Sequence, residues 1–208
     1  MGDKLLIFDF DGTIVDTKAL WYNSSYAYLK FFGFKYNDID RVIDLGFSLR
    51  RTLKKLGFNF LSLWILKRQI SGKVRSHVND IRKCKDVDSI RLIPGKRIIV
   101  TNSLKEFALP ILKHLKLMDE FSEIYGADDF SDKTEFVSSY LKEKRIKKKD
   151  CFYIGDRVAD VKLAKEVGCN GVVVLGKCAW DSKSQLIKAG PDFVIEDIAE
   201  LKEILLGS

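Results

Sequence analysis

The chain contains no run of about 18 apolar residues, so no helical membrane span is expected. Its N-terminus passes almost directly into Leu5-Leu6-Ile7-Phe8, with no long apolar stretch and no small-residue cleavage site to mark an export signal. Among the four cysteines, Cys84, Cys151, Cys169 and Cys178, no pair has the two-residue separation typical of zinc knuckles and redox motifs. Their spacings suggest no disulfide framework, and Cys151 and Cys169 lie in or beside apolar runs, the usual setting of buried free thiols. Internal repeats, low-complexity segments and a stripe of interleaved basic and aromatic residues are also missing. These absences argue against a membrane protein, a metal knuckle and a nucleic-acid binder. They leave a cytoplasmic protein as the expectation.

With 208 residues the chain has room for one large domain, or for a core with a smaller insert. Hydrophobic residues at 46% supply a real core, which excludes a disordered tail. The net charge of +7 is compatible with nucleic-acid, membrane or anionic-metabolite partners, but the basic residues are spread along the chain. The densest run, from Lys142 to Lys149, reads as a helix end and a turn with a solvated surface.

Short apolar runs at 4–9, 97–101, 151–155, 171–175 and 192–195, with a weaker one at 123–126, read as buried parallel strands. Helical spacing fills the gaps at 104–115, 134–144, 158–167, 182–189 and 198–205. This alternation predicts an α/β fold with a doubly wound parallel sheet. Residues 15–93 break the pattern: helices are expected at 18–32, 38–45, 49–56 and 61–83, with no strands. The expected organisation is a core of residues 1–14 and 94–208 with a helical domain of residues 15–93 inserted after the first strand. Pro94-Gly95 marks the return to the sheet, and Pro110 is expected to kink or restart its helix.

Four motifs carry chemistry. In Asp9-Phe10-Asp11-Gly12-Thr13, two carboxylates two residues apart share a face at the carboxyl end of the first strand, where ligands bind in open α/β sheets. Such a pair repels itself unless a cation or a shared proton intervenes, and magnesium with oxygen ligands is the natural solution. A solvated turn fits the pair taken alone. In Gly155-Asp156-Arg157-Val158-Ala159-Asp160, Asp156 ends a second strand and Asp160 lies four residues on, on one face of a nascent helix; a plain helix-start role also fits Asp160. Thr101-Asn102-Ser103 offers a hydroxyl, an amide and backbone donors to a phosphate, and equally suits a helix N-cap. Lys133 is a compact cation suited to a phosphate oxygen or a carboxylate, and one of many lysines.

The order Asp-x-Asp, Thr, Lys, Gly-Asp-x-x-x-Asp, each at or near a strand end, resembles the haloacid dehalogenase superfamily over nearly the whole chain. The helical insert resembles the α-helical cap of its phosphoglycolate phosphatase and β-phosphoglucomutase branch, as do Ala164-Lys165-Glu166-Val167-Gly168 and Ala189-Gly190-Pro191-Asp192. Two features depart from the pattern: Thr134 stands where many relatives have proline, and the segment between Pro94 and Arg97 is short. The resemblance implies a magnesium-dependent phosphatase acting on a small phosphorylated metabolite, as a monomer or homodimer. Asp9 would be the nucleophile and Asp11 the general acid and base. Thr101, Asn102 and Lys133 would bind phosphate, and Asp9, Asp11 through its backbone carbonyl, and Asp156 would hold magnesium, with Asp160 in support. Dehalogenases lack an acid at the position of Asp11, so the pair favours phosphoryl chemistry. Substrate choice would fall to the cap, with Arg50 and Arg51 as its candidates. A phosphomutase, or a non-catalytic binding protein on the same fold, are the alternatives.

Overall fold

A computed structural model describes residues 4–33, 35, 36, 72 and 76–207. The chain divides into two compact units, one formed by Met1–Asp16 with Ile81–Ser208 and the other by Thr17–Asp80.

The first unit is built on six parallel strands. They are β1 (Leu5–Phe8), β4 (Lys96–Val100), β5 (Glu123–Tyr125), β6 (Cys151–Gly155), β7 (Asn170–Val174) and β8 (Phe193–Ile195), in the spatial order β5-β4-β1-β6-β7-β8. The chain thus winds outward on one side of β1 and then returns to wind outward on the other. That reversal places a topological switch point at the carboxyl ends of β1 and β6, where a doubly wound sheet opens a crevice. The register pairs Phe8 with Ile154, and the Asp9 amide extends the ladder to the Ile154 carbonyl at 2.8 Å. The residues that follow the two strands are therefore set side by side.

β1 and β6 are buried at every position because both faces of the sheet are covered, and their sequences are accordingly continuous rather than alternating. On one face Leu5, Ile7, Ile98, Val100 and Tyr153 pack with Val137, Tyr140 and Leu141 of α3 (Lys133–Glu143) and with Leu163, Ala164 and Val167 of α4 (Val158–Val167). Phe8, one residue out of phase with Ile7, meets Phe121 edge-on at 5.8 Å on the opposite side. Val161, Val173 and Leu186 form a smaller cluster that holds α5 (Lys183–Lys188).

Local signals fix the helix ends. Asp132 caps α3 by accepting from the Glu135 amide at 2.9 Å, and Ser182 with Gln185 forms a capping box on α5. Gly168, with φ of 78°, ends α4 in the left-handed region. The helix α2 (Lys105–His114) does not restart at Pro110, which lies inside it. Burial of Phe107, Ala108, Ile111 and Leu112 along one stripe offsets the hydrogen bond that proline cannot make. The chain closes with a 3₁₀ turn, Ile198–Glu200, and α6 (Leu201–Gly207).

The expectation that residues 15–93 contain no strand is corrected. β2 (Val15–Asp16) and β3 (Arg82–Lys83) form an antiparallel ribbon, and a 3₁₀ turn at Val78–Asp80 stands where a continuous helix was expected. Two-residue strands carry too little periodicity to be read from sequence. The cysteine reading is corrected in part: Cys84 and Cys178 form a disulfide with Cα atoms 5.9 Å apart and a sequence separation of 94. Cys151 and Cys169 are buried free thiols, as expected.

In the second unit α1 (Lys18–Leu29) continues into a 3₁₀ turn, Lys30–Phe32, which Gly33 ends with φ of 81°. Tyr22 and Tyr26 pack around Tyr36, at centroid distances of 6.3 and 5.3 Å. The helices expected at 38–45 and 49–56, most of the one at 61–83, and Arg50 and Arg51 lie outside the described residues. Among the described residues no helix is long and apolar enough to cross a membrane.

Candidate active site

Asp9 is the first residue after β1 and Asp156 the first after β6, so the sheet register brings them to one crevice. Asp160, on the first turn of α4, turns its carboxylate back toward the same point. Carboxylate oxygens of Asp9, Asp156 and Asp160 all lie within 4.8 Å of one another, and all three side chains are buried. Lys133 enters from the start of α3, donating to Asp9 Oδ1 at 2.7 Å with Asp160 Oδ1 3.8 Å away. Its ammonium also sits over the ring of Tyr153, 5.3 Å from the centroid.

Each oxygen of Asp156 has its own donor. The Thr13 hydroxyl donates to Oδ1 at 2.9 Å, and the backbone N–H of Trp180 donates to Oδ2 at 2.7 Å. The loop that carries Trp180 is held in turn by Asp181, which accepts from the Val158 amide at 2.7 Å. Asp160 Oδ2 accepts from the Arg157 amide at 3.0 Å, so it caps α4 as well as facing the crevice.

Two glycines are required by this crowding. Gly12 has φ of +83°, and a Cβ there would lie 2.3 Å from Asp156 Oδ2 and 2.5 Å from Trp180 Cδ1. A Cβ on Gly155 would lie 2.4 Å from the Asp160 carboxylate.

The Thr101-Asn102-Ser103 motif contributes through Ser103. Its hydroxyl donates to Asp11 Oδ2 at 2.5 Å, while its amide donates to Thr101 Oγ1 at 3.0 Å. Thr101 is buried at the end of β4, beside β1, and Asn102 is exposed next to it. The Asp11 carboxylate is thereby tied to the residues that follow β4.

Burial pushes the Asp156 carboxyl well above the usual range, and Asp160 and Asp9 add to the rise against the Trp180 amide and Thr13 hydroxyl. Asp160 is pushed up to about 6, by burial first and Asp9 second, with Lys133 and Arg157 opposing. Among the described residues, three buried carboxylates share one lysine within ion-pair distance, with Arg157 acting on Asp160 as well, which makes a pocket short of positive charge. An all-oxygen donor set with that deficit fits a hard divalent cation such as magnesium.

Sequence reading named Asp9, Asp11, Thr101, Lys133, Asp156 and Asp160 but assigned no contact to Ser103 and passed over Trp180 and Asp181. Ser103 stands in the Thr101-Asn102-Ser103 motif, where its hydroxyl is the signal that marks it as a donor. Trp180 acts through its backbone, which has no residue signature.

A family model described as haloacid dehalogenase-like hydrolase matches residues 6–174. A protein of Caldanaerobacter subterraneus subsp. tengcongensis, named provisionally as the pyrophosphatase PpaX, is 27% identical over 97% of this chain and 94% of its own length. A phosphoglycolate phosphatase of Vibrio vulnificus is 24% identical over 99% of this chain and 97% of its own. Among solved structures, a hydrolase from Pseudomonas syringae superposes with a TM-score of 0.80 at 22% identity, covering 99% of this chain and 98% of that one. A haloacid dehalogenase-like family protein from Streptococcus pneumoniae gives 0.77 at 17%, covering 99% of both.

Proposed function

The chain belongs to the haloacid dehalogenase-like hydrolases, and from that premise we propose that it is a phosphatase that cleaves phosphate esters of small metabolites, with Asp9 as nucleophile. The observation that carries this reading is the buried Asp9 carboxylate, held by Lys133 at 2.7 Å and facing Asp156 and Asp160.

An Asp9 oxygen attacks phosphorus in line with the ester oxygen, and the phosphorus–oxygen bond to the leaving group breaks. Asp11 gives its proton to that departing oxygen. In the second half-reaction Asp11 removes a proton from water, whose oxygen attacks the same phosphorus and returns Asp9 as a carboxylate with inorganic phosphate. The Ser103 hydroxyl orients Asp11 for both transfers. Lys133, Thr101 and Asn102 meet the phosphoryl oxygens, whose charge must be matched in the transition state. Magnesium held by Asp9, Asp156, the Asp11 backbone carbonyl and, directly or through water, Asp160 would supply the positive charge that lets an anionic ester approach anionic carboxylates.

Relatives named for phosphoglycolate and pyrophosphate hydrolysis make those two compounds, with sugar phosphates, the substrates to test first. Choice among them is assigned to residues 15–93 in the role of a cap, with Arg50 and Arg51 the first positions to substitute. The test is phosphate release by purified protein across that panel, with magnesium or with chelator. Magnesium-dependent release that Asp9→Asn abolishes is the expected result. Undiminished release by Asp9→Asn, or none from any ester, would reject the reading.

A further inference from the structure

Asp156 is held by two chain segments that are far apart in sequence, and a disulfide ties one of them to a third segment that is hydrogen-bonded to the other. One segment is the turn after β1: Thr13 donates to Asp156 Oδ1, and the next residue, Ile14, accepts from the Cys84 amide at 3.0 Å. The other is the loop after β7: Trp180 donates to Asp156 Oδ2 from two residues beyond Cys178. The Cys84–Cys178 bond connects them, closing a ring through Asp156, Thr13, Ile14, Cys84, Cys178 and Trp180. Cys84 and Cys178 are themselves buried, and all six residues belong to the first compact unit.

We propose that Cys84 and Cys178 are positioning residues whose disulfide clamps both donors onto Asp156, so that metal affinity and turnover respond to the thiol redox state. The role of Asp156 as a metal ligand rests on the phosphatase reading above. The physical case is geometric. Without the S–S bond, the loop keeps the Asp181 contact to the Val158 amide and Arg157 over the Trp180 ring but loses its covalent tie to Cys84, so the Trp180 amide has a wider range of positions relative to the Thr13 hydroxyl. Partners of a metal ligand set its orientation, and loosening them weakens the site. In the cytoplasm expected from sequence, a disulfide is uncommon and usually switchable rather than permanent.

The chemistry balances by thiol–disulfide exchange. The Cys84 and Cys178 thiols give up two protons and two electrons as their S–S bond forms, and a small-molecule disulfide accepts both electrons and is cleaved to two thiols. A dithiol reductant reverses the step and becomes its own disulfide.

The experiment uses the wild-type chain, prepared with glutathione disulfide or with dithiothreitol and freed of excess reagent. Thiols are counted with a chromogenic disulfide in denaturant. Magnesium binding is followed by titration calorimetry, and turnover is followed with p-nitrophenyl phosphate. The oxidised protein should show two thiols and the reduced protein four. Reduction should weaken magnesium binding about tenfold, the low end for loss of a ligand's partner, and slow turnover. Cys84→Ser and Cys178→Ser should each match the reduced protein in magnesium affinity and turnover under both treatments. If a serine variant fails to fold, the two states of the wild-type chain still decide. Four thiols after oxidation, or equal magnesium affinity in both states, would overturn the proposal. Redox-dependent magnesium affinity without turnover on any ester would leave the clamp standing and reject the phosphatase reading. Turnover with no redox response would do the reverse.

Discussion

Metal-free protein should become more stable as pH falls from about 7.5 to 5, and magnesium should reverse that order. The perturbed group is Asp160, whose carboxyl is pushed up to about 6 from an ordinary 3.8 by burial and by Asp9. A carboxyl with a raised pKa in the folded state binds protons more tightly there than in the unfolded chain. Its favourable contribution is therefore complete below 3.8 and lost as pH rises through about 6. Between pH 7.5 and 5 the proton taken up by the folded chain alone contributes about 1.4 kcal/mol. For a chain of this size that is about 3–6 °C in melting temperature. Asp156, raised in the same direction, adds to it. At 100 times its dissociation constant magnesium contributes about 2.7 kcal/mol, or about 5–11 °C. Most of that should appear at the higher pH, where protons do not compete for the carboxylates. Scanning calorimetry of wild type and Asp160→Asn, in chelator and in magnesium, at both pH values, isolates the effect. Equal melting shifts for wild type and Asp160→Asn in chelator would refute the coupling of this cluster to protons.

Other outcomes follow from the same geometry. Asp11→Asn should lower kcat by about 100- to 10,000-fold, the range for losing a general acid and base, with near-normal magnesium binding by calorimetry. Gly12→Ala should lower kcat at least about 100-fold, because its Cβ would overlap Asp156 Oδ2 at 2.3 Å from a backbone with φ of +83°. Crystallography of that variant should show Asp156 or Trp180 displaced. At the start of β5 burial opposes ionisation of Glu123, but hydrogen bonds from Lys96, Tyr125 and Tyr140 bring it down to about 2. Its contribution is complete above an ordinary 4.5 and lost as pH falls through about 2. Melting curves should therefore show the wild-type advantage over Glu123→Gln shrinking between about pH 6 and 3.

The buried strands could be read directly because each lies between two covered faces. Leu5–Phe8 and Cys151–Gly155 must be apolar throughout, and a sudden aspartate after such a run stands out. Asp9 and Asp156 were legible for that reason. The β2–β3 ribbon was not, since it is two residues long on each side and sits among helical signals. Pro110 misled in part, because packing along one stripe of α2 outweighs one missing hydrogen bond.

What sequence alone determined was an inventory with an order: a parallel α/β sheet, acidic residues at the ends of its first and fourth long strands, and Thr101 and Lys133 at two ends between. Local propensity and periodicity carry that much, because they depend on neighbours along the chain. Tertiary structure decided which groups meet. The parallel register of β1 and β6 set Asp9 beside Asp156, and the first turn of α4 folded Asp160 in with them. Ser103 was turned onto Asp11. Cys84 and Cys178 were joined across a sequence separation of 94, and a backbone amide of Trp180 was placed on Asp156. Contacts between residues so distant in sequence, and donors that every residue type but proline possesses, leave no pattern along a chain.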